Sequence, residues 1–232
     1  MKWLKEEDSK NVKETLDALK NAVTIIFFTQ EIECSFCRET REVLTEISEL
    51  SENVTLKTYN FVMDELEAKK YGVDKIPAII ITDAAGKDYG IHFYGIPAGY
   101  EFVSLLSAIK VIGNEETGLQ KQTLDKISTI NEPIHIQVFV TPTCPYCPTA
   151  VETAHKLAYQ SDYIKADMVE ASEFAPLTNK YNVFGVPKII VNETTHFEGA
   201  LPEAMFIDGV IKALQDKPKP SLKDKLKKIV SG

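Results

Sequence analysis

Ile134-His135-Ile136-Gln137-Val138-Phe139-Val140-Thr141-Pro142-Thr143-Cys144-Pro145-Tyr146-Cys147 is the stretch on which the reading of this 232-residue chain turns. Residues Ile134–Val140 are rich in β-branched and aromatic side chains and have the length of a strand. The cysteines that follow open a helical segment, Cys147–Tyr159. At such a helix start, unpaired backbone N–H groups and the positive end of the helix dipole converge on the first sulfur. That environment favours thiolate and lowers a cysteine pKa from about 8.5 into the range of roughly 3.5–7.5. Cys144 is therefore the expected nucleophile. Cys147, one turn on and more buried, is expected to resolve a mixed disulfide from behind.

The same arrangement occurs twice. Cys34-Ser35-Phe36-Cys37 stands 110 positions before the second motif, and these four cysteines are the only ones in the chain. Tyr71-Gly72-Val73-Asp74-Lys75-Ile76-Pro77 answers Tyr181-Asn182-Val183-Phe184-Gly185-Val186-Pro187 at that same offset. His92-Phe93-Tyr94-Gly95 answers His196-Phe197-Glu198-Gly199, and Thr15-Leu16-Asp17 answers Thr123-Leu124-Asp125. A repeat of this reach means duplication. Cys34 and Cys37 accordingly take the roles of Cys144 and Cys147.

Each unit reads as helix, strand, Cys motif with helix, strand, short helix, two strands and a closing helix. In the first unit Val12, Leu16 and Leu19 mark the opening helix, with Ser9 as its N-cap. The strands are Val23–Phe28, Val54–Tyr59, Ala78–Thr82 and Ile91–Tyr94, with Asp83–Asp88 as a hairpin turn around Gly86. The second unit has Ile134–Val140, Tyr163–Val169, Lys188–Val191 and His196–Glu198. This order predicts an α/β fold, with a mixed four-stranded sheet flanked by helices in each unit. The expected divisions are 1–115, 116–216 and a lysine-rich tail over 217–232, with the break at Gly113–Gly118. His92 and His196 read as surface strand residues. Tyr71 and Tyr181 read as packing caps of the short helices.

Pro77 and Pro187 each follow the second cysteine of their unit by 40 residues. A proline opening an interior strand donates no ladder hydrogen bond; a cis peptide at a functional turn accounts for its presence. Phe36 and Tyr146, between the cysteines, are expected to form an exposed apolar rim for substrate.

Composition excludes several classes. A net charge of −8 disfavours a nucleic-acid binder. The apolar runs are strand-length, far below the ~20 residues that cross a bilayer. No export signal is visible at the start, so a cytoplasmic protein is expected. Two Cys-x-x-Cys pairs are also compatible with a four-cysteine zinc site or an iron–sulfur carrier. The strand–motif–helix–proline context in both units favours exchange chemistry. A non-catalytic binding module is the remaining rival, and retention of both cysteine pairs argues against it.

Cys144-Pro145-Tyr146-Cys147 is the tetrapeptide typical of glutaredoxins. With Phe139–Thr143 before it and Val183, Val186, Pro187 and Lys188 after, it resembles the C-terminal half of the two-unit, glutaredoxin-like protein disulfide oxidoreductases of thermophilic archaea and bacteria. The likeness covers Lys13–Leu214. It implies two tandem thioredoxin folds, redox-active cysteine pairs without another cofactor, cis peptides at Pro77 and Pro187, and protein disulfide isomerase-like activity. It also implies that Ile76 and Val186 offer backbone N–H and C=O to an extended substrate. Protein substrates with thiols or disulfides are the implied partners, together with an NADPH-dependent flavoprotein reductase. Thioredoxins carry a buried acid six residues before the first cysteine; here those positions are Phe28 and Val138. Glu31, Glu33, Glu39 and Glu42 surround Cys34, whereas no acid lies within seven residues of Cys144, so Cys144 is expected to be the principal nucleophile.

Overall fold

The computed structural model describes residues 3–215; the lysine-rich tail over 217–232 lies outside the described residues. The first half comprises α1 (Glu6–Asp17), β1 (Val23–Thr29), α2 (Cys37–Glu49), β2 (Val54–Asn60), α3 (Glu65–Lys70), β3 (Ala78–Asp83), β4 (Asp88–Tyr94) and α4 (Glu101–Asn114). The second comprises α5 (Lys121–Ile127), β5 (Ile134–Val140), α6 (Cys147–Gln160), β6 (Ile164–Glu170), α7 (Ala175–Lys180), β7 (Lys188–Val191), β8 (Thr195–Glu198) and α8 (Glu203–Gln215).

The halves share a strand order but not separate sheets. They join into one eight-stranded sheet, β2-β1-β3-β4-β6-β5-β7-β8. The seam is a parallel pairing of β4 with β6, from Ile91↔Ala166 to Tyr94↔Val169. Only β3 and β7 run against the other strands. The C-terminal ends of β1 and β5, from which the two Cys motifs leave, therefore lie on the same edge of the sheet. Those ends are four strand positions apart, about 19 Å at ~4.8 Å per strand.

Alternation along the strands divides the apolar residues between two layers. Ile25, Phe27, Ile136 and Val138 face the larger core, with buried residues from α1, α2, α4, α6 and α8. Ile26, Phe28, Ile80, Tyr94 and Phe139 face the other layer, with Ala68 of α3 and Leu177 of α7 packed against it. Helix α4 of the first half packs on α6 of the second, so the main core is continuous across the duplication.

Several local expectations need correction. Ser9 lies inside α1, whose N-cap is Lys5; the acids Glu6, Glu7 and Asp8 complement the dipole in its first turn. Gly113 is the buried penultimate residue of α4, and the break follows Asn114, inside the expected Gly113–Gly118 segment. A Cβ there would come within 2.9 Å of Leu19 Cδ2, so the glycine permits close packing. His92 is 1% exposed, because β4 has a neighbour on each side. Its Nε2 lies 2.9 Å from Asp88 Oδ2, and its ring faces the equally buried Asp167 across the seam. His135 Nε2 lies 2.6 Å from Asp167 Oδ2, and Lys165 Nζ 3.6 Å from Oδ1. Burial opposes ionisation of Asp167, but the His135 hydrogen bond and the Lys165 charge outweigh it and hold the carboxyl at about 2. His196 is exposed on the edge strand β8, as the surface strand residue that was expected. Among the described residues no helix is long and apolar enough to cross a membrane.

Candidate active site

Both Cys motifs follow the end of a central strand and start a helix. Phe36 and Tyr146 are the N-caps of α2 and α6, and Cys37 and Cys147 are their first residues. Cys34 and Cys144 are half-buried, whereas Cys37 and Cys147 are 3% and 0% exposed. Cys34 and Cys37 form a disulfide; Cys144 and Cys147 are free thiols. The separation of the two motifs along the sheet edge keeps the four sulfurs in two sites and rules out a single four-thiolate cage.

The prolines stand where the duplication places them. Ile76–Pro77 and Val186–Pro187 are both cis, with the prolines buried and Ile76 and Val186 half-buried. Gly95 N–H donates to the Pro77 carbonyl at 3.0 Å, and Gly199 N–H to the Pro187 carbonyl at 2.9 Å. The Cys144 thiol donates to the Val186 carbonyl at 3.7 Å. Phe36 is 40% exposed and Tyr146 67%. Tyr71 and Tyr181 are the C-cap residues of α3 and α7.

The approaches to the two motifs differ by one residue. Thr29 ends β1 opposite Asn60, and Val140 ends β5 opposite Glu170. Gln30, Glu31, Ile32 and Glu33 then lead to Cys34, but only Thr141, Pro142 and Thr143 lead to Cys144. Glu33 accommodates the extra residue with φ 61°, in the left-handed region that such side chains seldom occupy. Counting back from the cysteines therefore misaligns the strands. Phe28 and Phe139, not Val138, are equivalent: each pairs with the residue after its proline, Ala78 or Lys188. Phe28 and Val138 face opposite layers.

A buried acid of the other half lies near enough to the second site for its charge to act on Cys147. Glu101, in the first turn of α4, is 1% exposed. Ser104 Oγ donates to its Oε2 at 2.6 Å, and its buried Oε1 has no partner. Burial pushes this carboxyl up to about 7, and the charge of Glu152 on α6 adds to the rise. Burial also pushes the Cys147 thiol well above the ordinary range; the neighbouring Cys144 and the charge of Glu101 act in the same direction. The loop before α4 is docked on the approach to Cys144: Tyr100 N–H donates to the Pro142 carbonyl at 3.0 Å. Gly99 has φ +60°, and any side chain there would strike that carbonyl. Sequence reasoning missed Glu101 because an acid in a first helical turn is ordinary, and its burial arises from contacts between halves. Near the first site, Glu173 Oε1 accepts from Ile96 N–H at 2.6 Å, and burial raises this carboxyl to about 7.

Residues 134–212 match the family described as thioredoxin domain. The chain is 29% identical over 163 residues to the alkyl hydroperoxide reductase AhpF of Escherichia coli (strain K12). That match covers 70% of this chain and 29% of the relative, so the chain spans less than a third of that protein's length. A solved protein disulfide oxidoreductase from Aeropyrum pernix is 28% identical with a TM-score of 0.86, covering 94% of this chain and 97% of that one. The NTD_N/C domain of the alkyl hydroperoxide reductase from Enterococcus faecalis is 27% identical with a TM-score of 0.83, covering 90% of this chain and all of that one. Residues 134–212 thus match a thioredoxin domain, and the chain is similar over nearly its whole length to a solved protein disulfide oxidoreductase.

Proposed function

We propose that this protein catalyses thiol–disulfide exchange on protein substrates through both Cys-x-x-Cys centres, reducing, oxidising and reshuffling their disulfides. The observation that carries the reading is the second site: a half-exposed Cys144, a fully buried Cys147 behind it, and a buried carboxyl whose charge reaches Cys147. In the reductive direction the Cys144 thiolate attacks a client disulfide. The client S–S bond breaks, a mixed disulfide forms, and one client thiolate leaves. Cys147 then gives its proton to Glu101 and attacks the Cys144 sulfur. The Cys144–Cys147 disulfide forms and the second client thiolate is released, so the client gains the two electrons that the motif loses. Reversal oxidises a client dithiol. Ile76 and Val186, beside Pro77 and Pro187, receive an extended client segment, with Phe36 and Tyr146 as its apolar rim.

On this reading residues 1–115 and 116–216 are two redox units, with Cys34 and Cys37 repeating the roles of Cys144 and Cys147. The electron source is a flavoprotein reductase fed by a reduced pyridine nucleotide. Similarity to part of the alkyl hydroperoxide reductase AhpF, and at 23% identity to part of a protein named NADH dehydrogenase in Bacillus subtilis, supports that choice. A cytoplasmic setting fits cysteines gathered into two exchange motifs with none left as structural staples. The test is trapping. Cys147→Ser, in a chain lacking the first pair, should accumulate a mixed disulfide between Cys144 and a protein substrate, identified by mass spectrometry. A mixed disulfide on Cys147 in the converse Cys144→Ser variant, with none on Cys144, would refute the assignment.

A further inference from the structure

The segment that joins β4 to α4, Gly95–Tyr100, runs between the two centres and is bonded to the surroundings of each. At its far end Tyr100 N–H holds the Pro142 carbonyl, and Glu101 follows with its charge acting on Cys147. At its near end Gly95 N–H holds the carbonyl of Pro77, the cis-proline of the first centre. The next N–H along the chain, that of Ile96, donates to Glu173 Oε1 at 2.6 Å. Gly95 has φ +97°, and a Cβ there would come within 2.5 Å of Glu170 Cβ and 2.8 Å of Glu173 Oε1. The missing side chain thus lets two acids of the second half close over the strand end beside Pro77.

Those two acids meet a third from the first half. Glu170 is 2% exposed; its Oε2 accepts from Ser172 Oγ and Glu173 N–H, and its buried Oε1 has no partner. Glu39 lies in the first turn of α2, two residues after Cys37. Its Oε1 lies 3.3 Å from Arg38, and its Oε2 is buried without a partner. Burial raises the Glu173 carboxyl to about 7; the Ile96 bond opposes the rise, and the charges of Glu170 and Glu39 add to it. The other charged groups along the cavity that Glu173 lines are Asp74, Lys75, His135, Lys180 and Glu193. They are already matched, Lys75 with Asp74, Lys180 with Glu193 and His135 with Asp167, which leaves Glu173 among like charges. The arrangement is no part of the repeat: Met63 stands 110 residues before Glu173 and is 83% exposed.

We propose that Glu173, carried by the second half, is the proton acceptor of the first centre and takes up the Cys37 proton as the Cys34–Cys37 disulfide closes. The proposal rests on the exchange reading above and adds the acid of its first site, so that each half lends the other a buried carboxyl. In this step Cys37 gives up its proton and its sulfur attacks the Cys34 sulfur. The bond between Cys34 and the bound thiol breaks, that thiolate leaves with the electron pair, and the Glu173 carboxylate becomes a neutral acid. An acceptor that titrates near neutral pH suits such a transfer. Uptake of the proton also relieves repulsion among three neighbouring carboxylates.

The test uses the full chain with Cys144→Ser/Cys147→Ser, pre-reduced and mixed with dithiobis(nitrobenzoate). Attack by Cys34 releases one coloured thionitrobenzoate and leaves another on Cys34. Closure by Cys37 releases the second, so stopped-flow absorbance separates the two steps. The rate of the second release should rise with pH through an inflection near 7. Glu173→Gln keeps an acceptor for the Ile96 N–H; it should remove the inflection and slow the second release about 100-fold at pH 8. Glu39→Gln takes away a like charge and should move the inflection to lower pH. An unchanged rate and inflection in Glu173→Gln overturns the assignment while exchange at this centre stands. An inflection lost in Glu39→Gln but kept in Glu173→Gln gives the proton to Glu39 and overturns it as well. So does a Glu173→Gln variant that slows closure of the second centre, in a chain with Cys34→Ser/Cys37→Ser, as much as closure of the first, since that marks a tie across the seam alone. Absence of the first release overturns both the exchange reading at this centre and the proposal.

Discussion

Replacing Glu101 by Gln keeps the shape of the side chain and its bond to Ser104 but removes the only titration at that position. In the folded protein this carboxyl is raised from 4.5 to about 7, chiefly by burial. At ~1.4 kcal/mol per pKa unit, holding it ionised costs about 3 kcal/mol. Because the folded pKa lies above the unfolded one, the associated stability is fully present below pH 4.5 and is lost as pH rises through about 7. Wild type should therefore lose about 3 kcal/mol between pH 4.5 and 8.5 from this group, whereas Glu101→Gln should lose none of it. Urea unfolding at several pH values reads that difference. Activity should move the opposite way. Above pH 7 the carboxylate is available to take the Cys147 proton, and a positioned base contributes typically 10²–10⁴-fold. In a chain lacking the first pair, closure of the Cys144–Cys147 disulfide should rise with pH through an apparent pKa near 7. Glu101→Gln should slow that step at least about 100-fold at pH 8 and abolish the inflection. Rapid acid quench and mass spectrometry of the mixed disulfide measure it. A Glu101→Gln variant that closes its disulfide at the wild-type rate, with the same inflection, refutes the assignment of Glu101 as proton acceptor.

Gly99→Ala places a Cβ against the Pro142 carbonyl at a positive φ; it should cost at least about 1 kcal/mol in urea unfolding. It should slow exchange at Cys144 more than at Cys34, measured in chains retaining one pair each. Asp167→Asn removes the buried carboxylate that the His135 ring and Lys165 face and should destabilise by about 2 kcal/mol at pH 7. Because the folded pKa of Asp167 is depressed from 3.8 to about 2, it contributes about 2 kcal/mol above pH 4 that is lost as pH falls towards 2. That acid dependence should be missing from Asp167→Asn.

The strands, motif helices and repeat were legible because each rests on local pattern. Ile134–Val140 and Lys188–Val191 have the bounds that composition suggested, and the turn around Gly86 lies between β3 and β4. What the sequence concealed depends on contact between halves. Nothing local in His92 tells that its strand acquires a second neighbour, and nothing local in Glu101 tells that α4 will bury it against α6. Counting residues likewise hid the equivalence of Phe28 with Phe139. The single-residue difference lies in loops, where the extra residue is taken up by a backbone conformation that leaves no mark in composition.

The parallel seam between β4 and β6 fixes how the two centres meet the outside. With both openings on one side of the molecule and strand ends about 19 Å apart, a segment of roughly six extended residues reaches from one to the other. A disulfide at one centre is therefore too far from a dithiol at the other for direct sulfur-to-sulfur attack between rigid halves. A polypeptide held at the first centre, however, presents its next cysteine to the second at an effective concentration set by a short tether, in the millimolar range typical of such linkage. On the proposed exchange function, sheet fusion makes the duplicated chain a bivalent binder, in which a tethered client would pass electrons between centres that cannot touch.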